Sequence, residues 1–229
     1  MISVCIATYN GERFIKEQLD SILSQLTGDD EIILSDDGSK DRTLDIVNAY
    51  HDHRIHVYRN EKHGYVHNFE NALKRAKGDY IFLSDQDDIW FPEKVKCCTE
   101  LLSNYVMVNH NSILTNGEGE SLGVDFFSQH HSKGGYWQTL LRNSYSGCCM
   151  AFRRDVLDYA LPFPGNVISH DIWLGLIAEK KGSCCFYSQP LIYYRRHGNN
   201  ASSTSDKSKF SCWKQLKYRS YLLFYSFGR

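Results

Sequence analysis

No stretch of this sequence approaches the roughly 20 consecutive apolar residues that a membrane-spanning helix needs. Its opening, Met1-Ile2-Ser3-Val4-Cys5-Ile6-Ala7, lacks both a basic region and a long apolar core, so it reads as a first strand and not as a secretory leader. These absences point to the cytosol, or to the cytosolic face of a membrane. An excess of one charge is missing as well. With 26 Lys and Arg against 27 Asp and Glu, global charge gives no argument for a nucleic-acid partner. The eight cysteines form no CxxC pair, which speaks against structural zinc. In a reducing compartment Cys97-Cys98, Cys148-Cys149 and Cys184-Cys185 read as small buried hydrophobes. The sequon Asn200-Ala201-Ser202 reads as chance, since nothing routes the chain for secretion. Neither G-x-G-x-x-G nor G-x-x-x-x-G-K-[ST] occurs, so any bound phosphate must have its charge met in another way.

What is present is a repeating pattern. At 229 residues, 42% hydrophobic and 14% aromatic, the chain is long enough for one α/β domain with a full core. Ile2 to Ala7 is a short apolar run closed by Thr8-Tyr9-Asn10-Gly11, and Ile15, Leu19, Ile22 and Leu26 then mark one face of a helix. The unit recurs: a strand over Glu31 to Ser35, the turn Asp36-Asp37-Gly38-Ser39 with an N-cap candidate, and a helix over Thr43 to Tyr50 with Leu44 and Val47 inward. Ile55 to Tyr58 gives a third strand, followed by a helix carrying Val66, Phe69, Leu73 and Ala76 that stops at Gly78. Asp79 to Leu83 is the fourth strand. Such alternation implies a mostly parallel sheet with right-handed crossovers and ligands beyond the carboxyl ends of its strands.

Three polar turns fall at those ends, and the third is strongly acidic. Asp85, Asp87 and Asp88 repel one another unless something positive sits among them. A hard divalent cation, Mg²⁺ or Mn²⁺, carrying a phosphate ester would resolve this, whereas the plainer alternative is a turn whose carboxylates cap the next helix. An EF-hand is disfavoured, because its sixth position would be Trp90 and its twelfth Lys96.

Past Pro92 the pattern loosens into a helix over Lys94 to Leu102, a strand over Tyr105 to His110 and a hairpin tip at Asn116-Gly117-Glu118-Gly119. A hinge and short helix follow over Gly134 to Asn143, then a strand over Gly147 to Phe152. Ser169 is an N-cap candidate for a helix with Asp171 in its first turn, and Gln189 to Arg196 is a last strand. The expected organisation is a single domain over residues 1–205 and a C-terminal segment over 206–229. From Lys207 to Arg229 that segment has six Lys or Arg and no acid, interleaved with aromatics. It suits an anionic membrane surface, or equally a helix docked on its own domain with its basic heads in water.

The chain resembles the inverting family 2 glycosyltransferases of the GT-A fold. The resemblance rests on Val4-Cys5-Ile6-Ala7-Thr8-Tyr9-Asn10, on Ser35-Asp36-Asp37-Gly38-Ser39 and on Gly78 to Trp90, with their order and spacing. The wording Ser84-Asp85-Gln86-Asp87-Asp88 and the ending His197-Gly198-Asn199-Asn200 are similar to the rhamnosyltransferase-like branch of bacterial surface-polysaccharide synthesis. The resemblance implies a metal held by Asp85, Asp87 and His197, the last of which could instead merely bond a turn. It implies Asp171 as the general base, although a first-turn Asp can also serve the helix dipole. Donor-nucleotide contacts are implied at Ala7, Thr8, Tyr9, Asn10, Asp36, Asp37, Asp85 and Gln86, with Asn10 and Asp36 readable also as turn residues. Asp37 can accept the N3–H of uracil or thymine, so UDP- or dTDP-sugars are the expected donors. Gly147, Cys148, His170 and Trp173 fall in the sugar and acceptor region, although a glycine in a strand often marks only a bulge. The expected acceptor is a hydroxyl of a growing, lipid-linked glycan at the cytosolic face of the inner membrane. Two other classes compete with this reading: a silent sugar-nucleotide-binding module and a sugar-nucleotide pyrophosphorylase. The latter would need a Gly-rich basic loop that Thr8-Tyr9-Asn10-Gly11-Glu12 does not provide.

Overall fold

The computed structural model describes residues 1–198 and 211–229. The sequon, the end of the HGNN stretch at Asn199 and Asn200, and the 205/206 boundary lie outside the described residues.

The elements run in the order β1 (Ile2–Thr8), α1 (Ile15–Leu23), β2 (Glu31–Asp36), α2 (Thr43–Asn48), β3 (Ile55–Arg59), α3 (Tyr65–Leu73), β4 (Tyr80–Asp85) and β5 (Ile89–Trp90). Next come α4 (Lys94–Leu102), β6 (Met107–Thr115), β7 (Ser121–Asp125), α5 (Phe126–His130), α6 (Tyr136–Leu141) and β8 (Met150–Arg153). The chain closes with α7 (Leu157–Ala160), α8 (His170–Lys181), β9 (Cys184–Arg195) and α9 (Cys212–Phe227). Among the described residues the strands form one nine-stranded sheet in the order β3-β2-β1-β4-β8-β6-β9-β5, with β7 on β6. The first four are parallel. Beyond β4 the sheet is mixed, because β8 runs antiparallel to both β4 and β6.

Strand alternation divides the core into two layers. On β1 and β2, Val4, Ile6, Ile32 and Leu34 face a cluster with Ile15, Leu19, Ile22 and Val47 of α1 and α2, which also takes in α4. Cys5 and Ile33 point the other way, against Phe69 and Leu73 of α3 and Trp173, Leu176 and Ile177 of α8. The predicted apolar face of the first helix is buried along its length, including Leu26 just past the helix end.

The later half departs from expectation in places. Gly147–Cys149 is a 3-10 turn and the strand begins only at Met150. β9 starts at Cys184, well before Gln189, because its pairing with β6 continues through a register shift. α9 docks on the domain. Leu222 and Ser226 are buried, the Tyr136 hydroxyl lies 2.6 Å from Ser226 Oγ, and Arg229 donates to the Leu161 and Pro162 carbonyls, each at 3.0 Å. No described helix is long and apolar enough to cross a membrane.

Candidate active site

Parallel pairing of β1 with β2 and β4 brings three strand ends to one edge. Thr8 sits in register with Asp36, and Ala7 with Asp85. A cavity of about 440 Å³ opens there, and Ala7, Thr8, Tyr9, Asp37, Asp85, Gln86, Asp87, Gly147, His170 and Asp171 all line it.

One wall consists of the turns after β1, β2 and β4. The Gln86 side chain clamps the first turn: its Oε1 accepts the Tyr9 N–H at 2.9 Å and its Nε2 donates to the Tyr9 carbonyl at 3.1 Å. Gly11 is what leaves room for it, since a Cβ there would lie 2.3 Å from Gln86 Oε1. Asp37 accepts from Asn60 Nδ2 at 2.7 Å and from the Gly64 N–H at 2.9 Å, which fixes the loop before α3 beside it. Asn10 and Asp36 are not on the cavity surface. Asn10 takes a left-handed conformation (φ 48°) and accepts the Lys40 N–H at 2.9 Å. Asp36 is buried and accepts the N–H groups of Gly38 and Ser39, so both residues shape the turn.

The three clustered aspartates have three different environments. Asp85 faces the cavity, and its carboxylate takes no hydrogen bond from any described residue. Burial, and then the charge of Asp87, pushes its carboxyl up to about 7. Asp87 is buried, and its Oδ2 lies 2.7 Å from His197 Nε2. The imidazole is in turn stacked on Phe14, ring centroids 4.7 Å apart. Asp88 is fully buried and accepts the Arg195 N–H at 3.3 Å, tying the acidic loop to the end of β9. Its carboxyl is raised well above the usual range, chiefly by burial. It does not cap the following helix, whose N-cap position is Glu93 with no side-chain cap bond.

Sequence reasoning missed the positive charge beneath this cluster. Lys94 is fully buried, with its Nζ donating to the Cys148 carbonyl at 2.9 Å and lying 3.9 Å from the Trp90 ring centre. Burial pushes its ammonium down, while the charge of Asp88 works the other way and that of Lys94 lowers Asp85. A signal existed: Lys94 precedes Cys98 and Leu102 at helical spacing, so periodicity alone puts it on the buried face of α4. Cys148 is a correction in that its side chain is buried and off the cavity lining, although its Sγ lies within 4.8 Å of carboxylate oxygens of Asp85 and Asp88.

A second part of the lining carries Asp171 in the first turn of α8. Its Oδ2 accepts from Asn143 Nδ2 at 3.0 Å, and its Oδ1 accepts the Ile172 N–H at 2.7 Å and the Ser169 hydroxyl. Ser169 therefore spends its hydroxyl on Asp171 and makes no side-chain cap to the helix. His170 is buried, stacked on Phe69 at 4.0 Å, and held neutral, burial lowering it to about 4. Gly147 is required beside it, since a Cβ there would lie 2.4 Å from His170 Nε2. Trp173 is a second correction: one turn along α8, it is fully buried and its indole N–H donates to the Ala160 carbonyl at 2.9 Å, so it is core. Asn143 and Tyr65, both on the cavity, carried no sequence signal, and Ser169, also on the cavity, was read only as a helix cap.

This sheet, with its flanking helices and its cavity at the carboxyl strand ends, has the architecture of the GT-A glycosyltransferases. It matches Staphylococcus aureus TarS residues 1–349 solved with UDP-GlcNAc at TM-score 0.73 and 20% identity, covering 97% of this chain and 66% of that one. Glucosyl-3-phosphoglycerate synthase from Mycobacterium tuberculosis, solved with Mn²⁺, UDP and phosphoglyceric acid, matches at TM-score 0.61 and 21% identity over 86% of this chain and 71% of that one. In sequence the chain is similar to the dTDP-rhamnosyl transferase RfbG of Shigella flexneri, 30% identical over 225 residues that cover 90% of this chain and 76% of the relative. The family model described as glycosyl transferase family 2 matches residues 3–160. The chain belongs to that family and is a glycosyltransferase.

Proposed function

We propose that this protein is a metal-dependent, inverting glycosyltransferase that moves a sugar from a UDP- or dTDP-sugar to a hydroxyl of a growing glycan. Rhamnosyl transfer onto a lipid-linked surface polysaccharide is the specific version we favour. The observation that carries the proposal is one cavity lined by Asp85, Asp87 and the hydrogen-bonded Asp171, with His197 Nε2 2.7 Å from the Asp87 carboxylate. The dTDP donor that names the relative RfbG, and the UDP-GlcNAc and UDP bound in the TarS and synthase structures, support the donor class.

The residues present fit a divalent cation. Asp85 offers an oxygen donor on the cavity and Asp87 and His197 an oxygen and a nitrogen 2.7 Å apart, donor types suited to Mg²⁺ or Mn²⁺, while the three ligand atoms that lie within 4.8 Å of one another among the described residues are those of Asp85, Asp88 and Cys148. When bound, such an ion acts as a Lewis acid on the departing diphosphate. Asp37, Tyr9 and Gln86 hold the base and ribose side of the donor. Asp171 takes the proton of the acceptor hydroxyl as the new C1–O bond forms and the bond to the diphosphate breaks. The second lone pair of its Oδ2 is the accepting site, the first being occupied by Asn143.

Residues 1–205 serve as the catalytic domain, and the remaining segment brings it to the cytosolic face of an anionic membrane. α9 supports the latter: its docked face carries Leu222, while Trp213 and Phe224 are 76% and 75% exposed beside the exposed Lys214 and Lys217. Replacing Trp213 and Phe224 with Ser should then reduce flotation with phosphatidylglycerol vesicles and leave binding to neutral vesicles unchanged. Equal flotation of both proteins would remove the membrane role. For the activity, the purified protein with Mn²⁺ is to be screened against UDP- and dTDP-sugars. Asp87→Ala and Asp171→Asn should each abolish turnover while keeping the fold. Full transfer activity in Asp171→Asn would overturn the base assignment.

A further inference from the structure

α8 begins at His170, and the residues just before it form an irregular segment rather than a strand or helix. Asp171 thus sits at the junction between a packed helix and a piece of chain that has no secondary-structure ladder of its own. Irregular backbone must find its hydrogen-bond partners elsewhere. Here they come largely from tyrosine hydroxyls. The Asn166 N–H donates to the Tyr221 hydroxyl at 3.0 Å, and the Ile168 N–H donates to the Tyr218 hydroxyl at 3.2 Å. The Ile168 carbonyl accepts from the Tyr65 hydroxyl on the cavity side. The segment is therefore held from outside by two rungs of α9 and from inside by α3, and the next residue, Ser169, donates to Asp171.

α9 is itself firmly seated for this task. Leu222 follows Tyr221 and lies one turn past Tyr218, the buried Ser226 lies one turn further, and Tyr218 and Tyr221 pack against the core beside them, so the docked face carries both hydroxyls. Lys180 of α8 donates to the Ser226 carbonyl, and Arg229 reaches back to Leu161 and Pro162, at the other end of the same irregular stretch. Burial, with a smaller contribution from the Asp171 charge, pushes the Tyr218 hydroxyl above its ordinary value, so it stays protonated. Neither tyrosine lines the cavity.

We propose that α9 is the strut of the catalytic wall, and that Tyr218 and Tyr221 are positioning residues which, by anchoring residues 166–169, set where the Asp171 carboxylate meets the acceptor. The proposal deepens the assignment of Asp171 as the base and rests on it. It also gives the terminal helix a task distinct from membrane contact, since the hydroxyls lie on its docked face and the exposed aromatics on the other.

The test uses the full-length protein carrying Tyr218→Phe, Tyr221→Phe or both, with Tyr225→Phe as a control on the same helix. The activity probe is whichever UDP- or dTDP-sugar the wild type turns over with Mn²⁺, and the binding probe is UDP with Mn²⁺ followed by calorimetry. Each single Phe variant should lower kcat by roughly three- to tenfold, the range spanned by one hydrogen bond, and Tyr225→Phe should not. UDP affinity and the number of sites per chain should stay at wild-type values, which excludes a lost active fraction. Amide exchange at Asn166 and Ile168 should quicken in the variant that removes the respective acceptor. Wild-type kcat together with wild-type exchange in Tyr218→Phe would overturn the proposal, as would a fall in UDP sites parallel to the fall in kcat. Failure of the base assignment has another signature: turnover would survive Asp171→Asn while Tyr218→Phe still quickened exchange at Ile168.

Discussion

The two walls of the cavity are built by different means. On the proposed donor side the nucleotide turns are fixed to one another, Gln86 to Tyr9, Thr8 to Asp36, and Asp37 to Asn60 and Gly64, while the acidic loop beside them also reaches the end of β9 through Asp87–His197 and Asp88–Arg195. The turn-to-turn contacts belong to the first four βα repeats, where parallel register brings the turns together. On the base side, Asp171 depends on Asn143 from the loop after α6, on Ser169, and through the residues before it on Tyr65 and on α9 near the chain end. One wall is a product of local repetition, the other of long-range docking. Distant substitutions should therefore disturb the chemistry at Asp171 while sparing donor binding, and substitutions in the N-terminal turns should do the reverse.

The sharpest way to break that comparison is at the base. Asp171→Asn keeps the size of the side chain and its contacts with the helix start but removes its ability to take a proton, so transfer should fall by roughly 10²- to 10⁴-fold. UDP binding should be unchanged by calorimetry. Asn143→Ala is the next largest effect, because it strips a hydrogen bond from a charged group while leaving the base present. A loss in kcat of roughly tenfold or more is expected, again with donor KM unmoved. If Asn143→Ala raised donor KM instead, the separation of the walls would fail. On the donor side, Gln86→Ala frees both ends of the Tyr9 peptide, and UDP affinity should weaken by about tenfold with kcat at saturating donor nearly retained. Gly11→Ala should act in the same direction, since its Cβ and the Gln86 amide cannot share the same space.

The same division explains what could be read in advance. Ile15, Leu19 and Ile22 advertise a helix, Thr8-Tyr9-Asn10 and Asp36-Asp37-Gly38 advertise turns, and parallel βα topology converts sequence order into spatial convergence without further information. The turns on the proposed donor side were legible for that reason, apart from the finer division that left the exposed Asn10 and the buried Asp36 off the cavity lining. Asp171 was legible only as part of a motif, since a first-turn Asp is ordinary in a helix. Its supports were not legible. Asn143 and Tyr218 are common residue types at unremarkable spacings, and only tertiary docking gives them a partner. Trp173 shows the complementary failure: the family resemblance put it in the sugar and acceptor region, yet its side chain lies in the core. Lys94 could have been found from periodicity, and it answers in part the question posed by three close carboxylates, since a fixed cation lies beneath them.

That partial answer leads to the smallest of the expected effects, one in stability. In metal-free protein the Asp85 carboxyl is raised from its ordinary 3.8 to about 7, by burial first and by Asp87 second. A folded value above the unfolded one means that the native state binds the proton more tightly. The stabilising contribution is therefore complete below about pH 4 and is lost as pH rises through about 7. Asp88 acts in the same direction. His170 has the opposite sign, being lowered from 6.5 to about 4, so its influence is confined to pH below about 6.5. Above pH 6.5 His170 no longer contributes, and the carboxylates are opposed by Cys149, whose thiol, against the effect of burial, is held well below its ordinary value by Cys148 and His110. In EDTA the melting temperature should drop between pH 6.5 and about 8 by about 2–4 °C, corresponding to roughly 1 kcal/mol for a chain of this size. Asp85→Asn should flatten the drop. Added Mn²⁺ should reverse it, with the largest stabilisation at the alkaline end where the ligands are ionised. A melting temperature that climbed over this interval in EDTA would mean that Lys94 already neutralises the cluster. The carboxylates would then have no need of a second cation for charge balance.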